Sequence, residues 1–467
     1  MLRRRRSCDQ CDPITPRTLP RDSLEGSTSI VEHGGAEWTA PLGYPVFMEP
    51  IDERSTHMPR QRPPLLGLAG ALLIGGVLAT SALVITGATY LTPSLVAEKI
   101  IDCIGASATV AQSAPIGTPP TVTISSTVSE FQSPTAVISA PGKELLVAER
   151  RGVITHLDAS MTTRQQVVDL STQVDATVEG GLLGMALHPR YGLNGESRLF
   201  LVFTRALDRA LTIASIDLSD EIRADLESLK ILQIVPREDG WHAGGGVAFL
   251  PDGRLLVGIG DDSKPNEAQS KSSMLGKLVA FDVDGPTSGP VIFSSGLRNP
   301  FRITVDAEHQ ALWVADVGQF CIEEVNRIAL AEAEGANFGW PIFEGSREWP
   351  RYVPSDYGYG DGDESKKPAA TISLVDPITT YEHVKGGPCA VIGGAVVEEW
   401  YLFADYCDGK LLGIPIDADP GTKASELLNF NATSVRVGVI GIVHDAAGNT
   451  WVLDGWGGTL IQLRVTP

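Results

Sequence analysis

One short element returns along the C-terminal part of this 467-residue chain, and its recurrence limits the folds open to it. The element is a turn containing Gly, Asp or Asn, followed by a compact apolar strand. The copies read PGKELLVAE (141–149), LNGESRLFLVF (193–203), PDGRLLVGIGD (251–261), HQALWVADVG (309–318), EEWYLFADY (398–406) and AAGNTWVLDG (446–455). With Leu146, Phe200, Leu256, Trp313, Phe403 and Trp451 as matching positions, most spacings are about 50 to 57 residues. A period near 50 suggests propeller blades. Six copies therefore predict an all-β, six-bladed β-propeller, in which four-stranded sheets surround a central channel. A β-sandwich array would explain the Gly-rich turns but not the regular return of one element. The gap from Trp313 to Phe403 is longer and calls for an insertion, placed at residues 337–385. Gly258, Gly260, Ala315 and Ala404 are small enough to let sheets converge near the axis. Leu226 to Ile234 has mild helical propensity, and one short helix there leaves the class unchanged.

The chain ahead of these repeats differs in kind. No residue between Arg62 and Glu98 is charged, and 65–91 is almost wholly apolar or small. That is long enough to cross a bilayer as a helix, which needs about 20 apolar residues. It starts too far from the N-terminus, and its apolar stretch is too long, for an ordinary cleavable signal peptide. Arg3 to Arg6, Arg54, Arg60 and Arg62 precede it, so the positive-inside rule puts the N-terminus in the cytoplasm and everything after the span outside. The expected organisation is a disordered cytoplasmic tail (1–63), a single transmembrane helix (64–92), a stalk (93–121) and the propeller (122–467). The formal charge of -20 argues against a nucleic-acid partner, because phosphate binding needs a basic face. Cys8 and Cys11 form one C-x-x-C beside the arginines. Without a second pair or histidines this reads as two thiols in a tail, or as a weak metal signal. Asn431-Ala-Thr433 is a glycosylation sequon, relevant only in a eukaryotic source.

Four motif groups carry possible chemistry: EGGLLGMALHP (179–189); GWHAGGGVAFLPDG (240–253) with GIGDD (258–262); LGKLVAFDVDG (275–285) with GLRNPFRITVD (296–306); and LWVADVGQFCIEEVNRI (312–328) with ANFGWPIFEG (336–345). In this order, and with D-Y-C-x-G at Asp405 to Gly409, they resemble the glucose/sorbosone dehydrogenase family. That family contains the aldose dehydrogenases that use pyrroloquinoline quinone (PQQ). The resemblance runs from about Ala148 to Leu463.

Each site residue has a chemical reading and a plainer one. His242 lies between Trp241 and a glycine run. A neutral imidazole there suits removal of a hydroxyl proton, and the resemblance makes it the general base; the plainer role is a turn histidine bonded to neighbouring backbone. Arg298 and Asn299 follow a glycine turn. The arginine fork can grip a carboxylate or quinone oxygen, and the resemblance places this pair beside the quinone; a salt bridge between blades is the alternative. Gly318 and Gln319 match the family segment whose backbone carbonyls hold Ca²⁺, a hard cation that favours oxygen. Family members often carry proline where Gln319 stands. Glu323 and Glu324 support that loop or form a solvated acidic pair. Glu179 falls where some members place a polar sugar contact, and a turn-capping role fits as well.

The late part of the chain departs from the family. Cys407 stands near where a lysine is expected, Lys410 lies three residues on, and Arg436 is the one late arginine near the next expected basic position. The cysteine-bearing branch of the family pairs residues placed like Cys389 and Cys407, which implies a disulfide suited to an oxidising compartment. Cys321 is then free or paired with Cys103. That branch includes propellers that bind proteins, such as the hedgehog-interacting proteins. The expected function is a membrane-anchored, PQQ- and Ca²⁺-dependent aldose dehydrogenase that oxidises a sugar C1 hydroxyl to a lactone and passes electrons to a separate acceptor. The alternative is a non-catalytic propeller that binds a protein or glycan, with 352–365 in the insertion as a possible surface. A Ca²⁺-dependent propeller hydrolase would need Asp, Glu and Asn side chains converging on the axis.

Overall fold

A computed structural model describes residues 112–114, 117–285, 289–348, 373–383, 389–432, 436–445 and 447–467. The expected tail 1–63, the expected span 64–92, the first part of the stalk, Cys8, Cys11 and Cys103 lie outside these residues, as does the acidic run 352–365. No helix among the described residues is long and apolar enough to cross a membrane.

The repeats build six four-stranded antiparallel sheets. Blades 1 to 5 run in order along the chain, over residues 134–169, 182–235, 244–295, 300–382 and 391–429. Blade 6 takes three strands from 439–466 and its outermost strand, Thr121–Val128, from the start of the domain. Pairing of the first strand with the last closes the ring. The matching positions Leu146, Phe200, Leu256, Trp313, Phe403 and Trp451 fall in the second strands of blades 1 to 6, and all are buried. Apolar clusters fill the spaces between consecutive blades. Between blades 4 and 5, Trp313 stacks on Tyr401 with ring centroids 4.3 Å apart. Burying each such side chain contributes about 1.5–3 kcal/mol.

Two local expectations need correction. Leu226 to Ile234 lies within a strand, Ala224–Val235, on the outer edge of blade 2. Its ladder with Leu211–Leu218 overrides a weak helical propensity. The glycines that crowd the axis are Gly184, Gly245, Gly393, Gly394 and Gly441 of the innermost strands, which line a cavity of about 110 Å³. Gly258, Ala315 and Ala404 belong to the second strands and Gly260 lies just past one; Gly258 still lets blade 4 come close, since a Cβ there would lie 2.8 Å from the Pro300 carbonyl oxygen. Arg302 also lines the cavity and donates to the carbonyls of Thr135, Leu183, Phe301 and Ile440, from blades 1, 2, 4 and 6.

The insertion lies between the third and fourth strands of blade 4. It contributes a small hairpin, Phe343–Glu344 with Arg347–Glu348. Ahead of the propeller, Gln112 Nε2 donates to the Thr380 carbonyl at 2.6 Å, and Ser113 bridges Thr422, so this part of the stalk is laid against blades 4 and 5.

Candidate active site

The loops that enter each blade, and those joining its second and third strands, gather at one end of the channel. His242 lies in the loop entering blade 3 and is nearly buried. Its φ of 53° is unusual for a residue with a Cβ. Surrounding groups hold it there. Asp262 accepts the backbone N–H groups of Glu238, Asp239 and Gly240 at 2.8, 3.2 and 3.4 Å. Glu179 Oε2 accepts the His242 N–H at 2.6 Å. Gly260 makes room, since a Cβ there would lie 1.9 Å from the His242 carbonyl oxygen.

The imidazole joins two partners. Nδ1 lies 2.6 Å from Asp261 Oδ1 and Nε2 lies 2.6 Å from Arg298 Nη2. A guanidinium only donates, so Nε2 is the acceptor and Nδ1 carries the proton that Asp261 receives; this tautomer follows from the hydrogen bonding. The ring is neutral, with its lone pair aimed at Arg298. The plainer role, a turn histidine bonded to neighbouring backbone, does not describe this ring. Asp261 is fully buried, and its second oxygen accepts from Trp340 Nε1 at 2.8 Å.

Arg298 forms no inter-blade salt bridge among the described residues. Its Nε donates to Gln319 Oε1 at 2.7 Å, its Nη1 to the Val317 carbonyl at 2.7 Å, and its Nη2 also reaches Gln319 Oε1. Asn299 Oδ1 accepts the Gly244 N–H at 2.8 Å and so ties the loops entering blades 3 and 4 together. Asp316 holds the Arg298 and Asn299 amides at 2.8 and 2.6 Å.

The Gly318–Gln319 segment is shaped from below. One oxygen of buried Glu344 accepts the N–H groups of Gln319, Phe320, Cys321 and Ile322 at 2.7 to 3.3 Å. Glu323 accepts the Gly318 and Val391 amides at 3.2 and 2.9 Å and also pairs with His383. Glu323 and Glu324 are both buried, so they are not a solvated pair. Burial pushes the Glu324 carboxyl up to about 8, with Asp316 adding repulsion, and pushes Asp316 up to about 7. With the amides turned inward, neither the Gly318 nor the Gln319 carbonyl accepts a hydrogen bond among the described residues. Two unclaimed carbonyls above buried carboxylates suit a hard cation. The Arg298 fork also fits an anionic guest. Gln319 is a neutral partner, and displacing it leaves no charge unpaired.

Arg436 is exposed, and no hydrogen bond joins it to these residues among those described. Lys410 is engaged by Asp408 and Glu426 at 3.5 and 3.3 Å. Cys407 is bonded to Cys389, with Cα atoms 5.6 Å apart. Cys321 is also disulfide-bonded, which removes the free-thiol alternative; its partner lies outside the described residues. Sequence reasoning missed Asp261, Trp340 and Glu344. GIGDD and NFGWP held the first two, but only tertiary contact shows which side chain each one meets.

The fold and this loop cluster define a six-bladed propeller of the sugar-dehydrogenase type. Residues 131–399 match the glucose/sorbosone dehydrogenase family, and the chain belongs to it. Curated relatives include "Uncharacterized protein slr1608" of Synechocystis, 28% identical over 48% of this chain and 60% of its own length. HIPL1 protein of Arabidopsis thaliana is 25% identical over 57% and 48%, and Aldose sugar dehydrogenase YliI of Escherichia coli 25% over 48% and 63%. The chain thus spans about half to under two thirds of the lengths of these relatives. The PQQ-bound aldose sugar dehydrogenase of Streptomyces coelicolor shares the fold, with a TM-score of 0.58 and 23% identity, over 75% of this chain and all of that one.

Proposed function

We propose that the chain is a membrane-anchored aldose dehydrogenase using PQQ and Ca²⁺, with its propeller outside the cell membrane. The observation that carries this is the Asp261–His242–Arg298 chain. It presents an unprotonated Nε2, the atom that would take the proton of a sugar C1 hydroxyl. A hydroxyl that displaces Arg298 Nη2 from Nε2 is placed for that transfer. Asp261 then stabilises the imidazolium, and the freed Arg298 donor stabilises negative charge developing beside it. Arg298 and Asn299 would hold the quinone edge, and the Gly318 and Gln319 carbonyls the cation. When bound, PQQ supplies the two-electron acceptor for the C1 hydride, polarised by Ca²⁺, so that the sugar leaves as a lactone and a separate acceptor reoxidises the cofactor. The aldose dehydrogenase named among the relatives supports this reading. The uncharged segment after the arginines supports the anchor, and the Cys389–Cys407 bridge supports an oxidising compartment.

A second reading, a binding propeller without cofactor, is favoured by that same bridge. It occupies the place where a lysine for a tricarboxylate was expected, and HIPL1 is among the relatives. PQQ titration of the full chain with Ca²⁺, followed by dye reduction with a panel of aldoses, separates the two. We expect saturable PQQ binding and sugar-dependent reduction. His242→Ala should lower turnover by about 10³-fold while still binding PQQ. A folded sample that takes up no PQQ would sink the enzyme and leave the binder.

A further inference from the structure

Cys321 is buried and disulfide-bonded, and Cys389 and Cys407 are bonded to each other. Of the six cysteines, Cys8, Cys11 and Cys103 remain as its partner. The described residues show which way the chain ahead of the propeller is heading. Thr379–Glu382 is the outermost strand of blade 4. It pairs inward with Ile322 to Val325, and no strand among the described residues covers its outer side. Proteins cover or blunt an open edge of this kind. The turn at 419–423 covers the approach to it, where the Gly421 and Thr422 amides donate to the Pro377 and Ile378 carbonyls at 3.1 and 3.0 Å. Ser113 sits on that turn. Its carbonyl accepts the Lys423 amide at 2.9 Å, and its hydroxyl lies 3.2 Å from that of Thr422. Gln112 takes up the next part of the edge, with Nε2 2.6 Å from the Thr380 carbonyl oxygen and 3.2 Å from Thr380 Oγ1. Each step back along the stalk is therefore a step forward along the strand, towards Glu382 and His383. The His383 amide donates to the Cys321 carbonyl at 2.9 Å, so this path leads to Cys321.

We propose that residues 103–111 lie along the outer edge of Thr379–Glu382 and that Cys103 is bonded to Cys321. The reach is sufficient. The nine residues from Cys103 to Gln112 span up to about 30 Å. Thr380 pairs with Glu324, which is three residues from Cys321, about 10 Å along the strand. Cys8 and Cys11 lie ahead of the uncharged segment, on its cytoplasmic side in the anchor reading above. Forming the bond takes two protons and two electrons from the two thiols, and a disulfide-bearing oxidant of the outer compartment accepts them by exchange. Cys321 is two residues past Gln319 and is one of the four residues whose amides Glu344 gathers. The bond therefore fastens the stalk to the loop at the channel mouth. If the span ends at 92, Cys103 is eleven residues beyond it, which tethers that mouth within about 40 Å of the bilayer. The tether rests on the anchor reading; the connectivity needs neither that reading nor the dehydrogenase.

The test uses the full chain in detergent, purified without reductant, with free thiols blocked by N-ethylmaleimide. Cleavage after Lys and Arg puts Cys103 in 100–143 and Cys321 in 303–327, each as the single cysteine of its peptide. Cys389 and Cys407 stay together in 386–410, and Cys8 and Cys11 in 7–17. Mass spectrometry of the unreduced digest should find 100–143 joined to 303–327, and reduction should separate them. Peptide 303–327 joined to 7–17, joined to a second copy of itself, or carrying the maleimide overturns the proposal. Hydrogen exchange then tests the path. In Cys103→Ser, amides of 379–383 should exchange about tenfold faster than in the wild type, while those of the second strands stay unchanged. Equal exchange along 379–383 in the two proteins would overturn docking on this edge.

Discussion

Blade 3 and blades 4 to 6 place the same residue at the end of the repeated element and use it differently. Asp261, Asp316, Asp405 and Asp454 close the strand motif in each, and all are buried. In blade 4, Asp316 accepts the amides of Arg298 and Asn299. In blade 5, Asp405 accepts those of Cys389, Ala390, Cys407 and Asp408 and the Tyr381 hydroxyl. In blade 6, Asp454 accepts those of Gly438 and Trp456 at 3.0 Å. These three carboxylates satisfy backbone donors of the loop that enters their own blade, donors that would otherwise be buried unpaired. Asp261 meets the corresponding loop through a side chain, the His242 imidazole, because that residue's own N–H has been taken by Glu179. A position repeated for holding backbone has been turned once onto a side chain.

The comparison breaks most sharply in blade 3. Asp261→Asn keeps the shape but removes the charge that supports a protonated His242, and should lower kcat by roughly 10²-fold or more. Asp454→Asn, the matching change in blade 6, should leave kcat within about twofold and lower the melting temperature instead. Equal effects on kcat would mean that Asp261 is scaffold like the others.

A smaller effect sharpens the contrast through pH. Burial raises the Asp405 carboxyl from 3.8 to about 6, despite five donors. A pKa raised on folding favours the folded state fully below the unfolded value, and that contribution is lost as pH rises through the folded one. Stability should therefore fall from about pH 4 to about pH 7, on the order of 1–3 kcal/mol from this group. Thermal melts of Asp405→Asn should show a flatter slope across that window, from a lower starting point, because an amide cannot accept all five donors. An unchanged slope would show that other carboxyls govern the pH response.

The smallest effect is expected at Arg436. It is exposed and unconnected to the His242–Arg298 group among the described residues, so Arg436→Ala should change PQQ affinity less than about twofold. A loss of tenfold or more would bring the late basic position of the family back into the site.

The sequence by itself determined the ring. A turn-plus-strand element at a nearly constant period cannot bury its faces alone, and stacking successive copies around an axis does so, which is why Leu146, Phe200, Leu256, Trp313, Phe403 and Trp451 all lie in second strands. His242, Arg298, Asn299, Gly318 and Gln319 stood out in the sequence only through motifs that resemble the family, and of these five His242 is the one at a positive φ. Tertiary structure alone decided which of four equivalent aspartates meets the histidine, which glutamate turns the Gln319–Ile322 amides inward, and that Trp340 reaches Asp261. These contacts join residues 19 to 79 positions apart, and they are set by how the loops of blades 3 and 4 fold back on themselves and on each other. Local propensity and spacing contain no measure of that folding back.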